Sequence, residues 1–151
     1  MKTQPLNPTG PQENFELRLR TMRTLWFGMF MSIVLYYGLT FFLGTRDETA
    51  SNDMLSLGLL VVGILTMLIS FPVKSRLITY AVEQQRVHLV QQAYILALAL
   101  CEVAALLGLL DFFATGHRHY YVLFLIAALG QLLHFPRREH VVNASSRTPI
   151  V

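Results

Sequence analysis

Glu102 is the residue whose chemistry most needs an explanation. It lies in Ala-Leu-Ala-Leu-Cys-Glu-Val-Ala-Ala-Leu-Leu-Gly, residues 97–108, an apolar stretch with no other charge. A charged side chain at the centre of a membrane helix costs about 2.5–3.5 kcal/mol on insertion scales. An acid kept there either exchanges a proton or a cation, or serves as a hydrogen-bonding latch to another helix. Such a latch is worth about 1–2 kcal/mol. Tyr36 and Tyr37, at similar depth in another apolar segment, are the candidate partners. A phenol left unpaired in hydrocarbon is costly too, so the pairing would serve both groups.

The other reactive side chains give weaker signals. Asp111 precedes His117, Arg118 and His119. Zinc needs three or four converging ligands at recurrent spacings, and this spacing matches none. The expectation is a hydrated interfacial cluster with Arg118, and no metal. His134 and His140 flank the end of the last apolar segment as ordinary interfacial residues. Gln131, deep in that segment, needs a partner. Cys101 is the single cysteine. Hydrocarbon disfavours a thiolate, so it reads as a small packing residue and not a nucleophile. No Ser-His-Asp set, phosphate-binding loop, CxxC or HExxH occurs. The chain is therefore expected not to be an enzyme and to use no cofactor. The competing class is a membrane enzyme acting on lipid or quinone with Glu102 as its acid.

These residues are positioned by four apolar segments. The chain is 54% hydrophobic and 14% charged, where a soluble domain carries about 25% charged residues. Of 12 basic and 9 acidic residues, only Glu102 and Asp111 fall inside segments 24–44, 54–71, 89–113 and 119–135. About 20 residues cross a hydrocarbon core of about 30 Å, and single apolar runs satisfy their backbone there only as helices. The fold class expected is all-α, a four-helix transmembrane bundle over residues 13–140. A disordered arm (1–12) precedes it and a flexible tail (141–151) follows. Phe15, Leu19 and Met22 recur at helical spacing among Arg18, Arg20 and Arg23. That pattern suits a helix lying on the membrane surface or an extension of the first span. The first segment is too long for a signal-peptide core and has no A-x-A site, so it reads as a permanent helix.

Ten basic residues lie in the N-terminal arm, the 72–88 connection and the tail, against Arg46 and Arg118 in the other two connections. This asymmetry places both termini in the cytoplasm. The positive balance, +3 overall, belongs to that asymmetry and does not imply nucleic acid. Ala93, Ala97, Cys101 and Ala105 recur every four residues, closed by Gly108, and Gly63, Thr66 and Ser70 offer a facing surface. Small residues at this spacing let helices approach closely. The stripe predicts a homo-oligomer, or assembly with other membrane subunits, through helices two and three. A shift of 64 residues lays Phe71-Pro72 on Phe135-Pro136, each followed closely by a basic residue. Two tandem helical hairpins are one source of that match. Proline ending two helices after an interfacial aromatic is the other.

Glu102, Ala105 and Gly108 spell E-x-x-A-x-x-G within an apolar helix. This resembles the second helix of the proteolipid (c) subunit of rotary ATPases, over residues 54–113. The resemblance implies a carboxyl that carries a proton or sodium ion, with small residues packing neighbouring helices. The dense Gly-x-Gly run of proteolipids is missing, and segments one and four are extra. Taken whole, the chain resembles small bacterial four-helix membrane proteins, a likeness that implies an inner-membrane location and no particular activity.

Overall fold

The computed structural model describes residues 11–43, 52–84, 86–116 and 119–139. The tail 141–151, most of the arm 1–12, and His117, Arg118 and His140 lie outside the described residues. Four helices make up the fold: α1 (Pro11–Phe42), α2 (Asp53–Glu83), α3 (Val87–Thr115) and α4 (Tyr121–Leu133). No strand occurs among the described residues.

Local chemistry sets the helix ends. Pro11 opens α1, where its missing N–H is no loss. Asn52 caps α2 by accepting the Leu55 N–H at 3.2 Å, and Asp53 follows in the first turn, where the helix dipole favours an acid. Gly116 ends α3 at φ 62°, a left-handed conformation that suits glycine. α4 stops shortly before Pro136, which cannot continue the ladder.

α3 is the central helix. It packs along α2, from which a connection of residues 84–86 separates it, and also against α4 and α1. α1 leans mainly on α3 and α4 and meets α2 only sparsely, at Met22, so the first two helices do not pack together as closely as the last two. Ala93, Ala97, Cys101, Ala104 and Ala105 are all fully buried. Glycines bring the helices together: a Cβ on Gly130 would stand 2.9 Å from Cys101 Sγ and 3.0 Å from Met67 Cγ. One on Gly108 would stand 3.0 Å from Leu123 Cβ, and Gly63 faces Leu123 and Ala104. The small stripe expected to join different chains is thus used within this one.

Two helices extend beyond their apolar segments. α2 does not end at Phe71 but continues through Pro72 to Glu83. α1 runs unbroken through residues 13–23, which excludes a separate surface-lying helix and favours the extension. The physical reason is a second core at this end. Met22 packs with Ala81, Val90 and Tyr94, and Ile78, Val82 and Leu89 cover the cluster. That burial offsets the hydrogen bond lost at Pro72, as membrane helices commonly arrange. Elsewhere the surface is apolar: Leu35, Phe41, Leu57, Leu65, Leu125 and Leu129 all face outward.

Candidate functional site

Glu102 is half-buried on α3 and faces α1. Ser32 Oγ donates to Glu102 Oε1 at 2.6 Å, and the Tyr36 hydroxyl donates to the same oxygen at 3.3 Å. Ser32 and Tyr36 share a face of α1 because they are one turn apart. Ser32 Oγ also lies 2.7 Å from the Met29 carbonyl, and one hydroxyl proton cannot serve both acceptors. An ionised Glu102 takes the Ser32 proton. A protonated one can donate to Ser32 Oγ, leaving Ser32 to donate to Met29. The same geometry accommodates both states.

Of the two tyrosines expected beside Glu102, the structure selects Tyr36. Tyr37 points 100° further round the helix. Its ring meets Phe41 at 5.0 Å and Phe124 at 5.5 Å between centroids. Ser32, the closer partner, is not among the residues the sequence singles out; the signal it offers is a hydroxyl one turn before Tyr36.

A second polar layer crosses the bundle near Asp111. This side chain is 2% exposed, held between helices; Arg118, expected beside it, lies outside the described residues. Ser56 Oγ donates to its Oδ2 at 3.0 Å and Thr115 Oγ1 to its Oδ1 at 2.7 Å. The helices' own hydroxyls replace water, as a buried carboxylate requires. A cavity of about 330 Å³ lies beside it, bordered by Asp53, Ser56, His119 and Leu123. At the same level the Thr40 and Tyr120 hydroxyls lie 3.3 Å apart, joining α1 to the start of α4, while Thr40 donates to the Tyr37 carbonyl at 2.7 Å. Among the described residues no three His, Cys, Asp or Glu side chains converge as metal ligands.

A third layer lies at the opposite end. His134 is fully buried, contrary to its interfacial reading, because Phe71 covers it at 4.6 Å and Ser70 binds it. His134 Nδ1 lies 2.9 Å from the Gly130 carbonyl and Nε2 3.1 Å from Ser70 Oγ. A carbonyl only accepts, so Nδ1 carries the proton, and in the neutral ring Nε2 shares the Ser70 hydroxyl with the Met67 carbonyl as competing acceptors. Ser70, read as a packing residue, is thus a polar bridge between α2 and α4. Cys101 donates weakly to Ser70 Oγ at 3.9 Å. Thr66 turns inward on its own helix and donates to the Gly63 carbonyl at 2.9 Å. Beyond this layer Lys74 Nζ sits 4.2 Å above the Tyr94 ring, and the Tyr94 hydroxyl accepts the Arg137 N–H at 3.1 Å.

Gln131 is fully buried, and both polar atoms of its side chain lack a hydrogen-bond partner. Its backbone carbonyl is satisfied, accepting from Trp26 Nε1 at 2.8 Å. The sequence marked this residue as needing a partner; the fold supplies none from the described residues.

Together these features define an all-α bundle with polar layers at three depths, in which three helices are long and apolar enough to cross a membrane. α4, with 13 residues, is shorter. No family model, curated protein or solved structure matches the chain.

Proposed function

We propose that this is a multi-pass membrane protein, non-catalytic, in which Glu102 latches α1 to the α3–α4 core. The observation that carries the reading is the pair of hydroxyls from one face of α1 on a single Glu102 oxygen. α1 is the least buried of the three long helices, with 11% of its apolar window covered against 44% for α3. A polar contact therefore matters more for holding α1 than for the others. Both termini lie in the cytoplasm of a bacterial inner membrane, and α4 makes the fourth crossing. Tyr94 and Asp111 mark the two polar ends of α3, about 25 Å apart at about 1.5 Å per residue. α4, with 13 residues, is about 20 Å long at that rise, about 5 Å short of this span, a mismatch that further local thinning of the bilayer meets at a modest cost. The exposed apolar surface meets lipid, further copies of the chain, or other membrane subunits for which this chain is an accessory.

A second reading, exchange of a proton or monovalent cation at Glu102, is favoured by one observation: the carboxyl is half-buried and not sealed. Glu102→Gln separates the two, because it keeps an acceptor for Ser32 and Tyr36 but cannot ionise. A latch predicts normal folding of this variant and unchanged proton and sodium flux in liposomes. Loss of such a flux on substitution would replace the latch with the carrier. Cysteines at Ser75 and Ser145, in a Cys101→Ala background, test the topology. Labelling of either from outside intact cells refutes it.

A further inference from the structure

We infer that the outer face of α1 carries a binding site for an acidic phospholipid, an inference that rests on the membrane-embedded reading above. A groove of about 640 Å³ runs along this face, lined by Glu16, Leu17, Arg20, Arg23, Thr24 and Phe27. Two guanidiniums stand midway along it, with apolar side chains on either side. Arg20 and Arg23 stand immediately before the apolar segment, at the depth of lipid headgroups, and neither meets an acidic partner among the described residues. Phe27 and Leu17, 56% and 62% exposed, give the groove apolar walls. The acid at the groove, Glu16, faces Arg138 at 3.5 Å, which offsets its charge. The groove is thus cationic beside an apolar wall, complementary to an amphiphile with an anionic head.

The rear of this face is held in place. Arg23 lies 6.0 Å from the Phe135 ring centroid. Trp26 stacks on Phe30 at 5.4 Å and meets Phe135 edge-on at 5.1 Å. Leu19 forms the buried floor of the groove, and Met22 is buried in the bundle. The arginines therefore project from a fixed helix, so ordering a lipid there costs little further protein entropy. A guanidinium matches phosphate geometry in a bidentate manner, which suits these positions better than lysine would.

Trp26, the single tryptophan, lies one turn from Arg23 and reports directly on this site. The full-length protein is reconstituted in phosphatidylcholine vesicles containing a minor share of phosphatidylglycerol, with bromine placed on the chains of one lipid or the other. The site predicts stronger quenching of Trp26 by brominated phosphatidylglycerol than its mole fraction explains. Arg20→Gln and Arg23→Gln should each reduce the apparent preference about fivefold, the change corresponding to about 1 kcal/mol per basic side chain. Arg18→Gln, on another face of α1, should leave it unchanged. Quenching that follows mole fraction alone, or an equal loss in Arg18→Gln, overturns the site and leaves the membrane reading intact. Absence of quenching by either lipid overturns both.

Discussion

Replacing Gln131 by Met should stabilise the protein. The side chain is fully buried, yet neither its Nε2 nor its Oε1 has a partner. A buried polar group without a hydrogen bond costs about 1–3 kcal/mol. Met is also unbranched and of similar length, and volume-conserving core changes usually cost less than about 1.5 kcal/mol. The bond from Trp26 Nε1 ends on the backbone carbonyl of residue 131 and survives the change. A net gain of about 1–2 kcal/mol follows, or about 5- to 30-fold in the unfolding equilibrium at about 1.4 kcal/mol per tenfold. Titration with sodium dodecyl sulfate in mixed micelles, followed by Trp26 fluorescence, measures that equilibrium. Gln131→Ala is the control, since it removes the amide but leaves a cavity and should gain less. A Met variant less stable than the parent would refute the reasoning and show that the amide is bonded, by a trapped water or by another molecule.

Ser32→Ala should cost more than Tyr36→Phe, because the Ser32 contact with Glu102 is 2.6 Å and that of Tyr36 is 3.3 Å. Interhelical hydrogen bonds in membranes are worth about 0.6 kcal/mol on average and up to about 1.7, so about 1 kcal/mol for Ser32, read by the same titration, is the expected scale. Gly130→Ala should destabilise by about 1–3 kcal/mol, since its Cβ would press on Cys101 and Met67. Gly28→Ala, with nothing within 4 Å, should be neutral or stabilising by up to about 1 kcal/mol. Asp111→Leu strands the buried Ser56 hydroxyl and should cost about 1–3 kcal/mol, whereas adding Ser56→Ala should recover part of the loss. A double-mutant cycle on the two positions measures that coupling.

Much of the candidate site was visible in the order of residues. Glu102 stood out because an acid within apolar neighbours is costly wherever the helix goes, and that cost is a property of the segment alone. Tyr36 and Tyr37 were not separable, because they differ by 100° of helix rotation and the position of α3 relative to α1 is not written in α1. Ser32 was missed for the same reason: a hydroxyl can bond its own backbone, as Thr66 does, or reach another helix. Asp111 and His134 were placed at wet interfaces because both lie near segment ends. Burial there depends on Ser56 and Ser70, residues distant in sequence that the packing brings beside them, with Thr115 one turn from Asp111 completing its site.

The sequence by itself determined that the chain forms apolar helices and where their polar exceptions fall, since periodicity and hydrophobicity act within each segment. Only the tertiary structure decided that α1 rests on α3 and α4, that α2 continues past Pro72, and that the small-residue stripe serves one chain instead of two. The physical reason is that each of these choices balances local propensity against contacts between segments. Pro72 alone favours a helix end, and Ala81 packed with Met22, Val90 and Tyr94 reverses that preference. The small residues of α3 would suit any close neighbour; Gly63 of α2 is the one that reaches Ala104, and Gly130 of α4 the one that reaches Cys101.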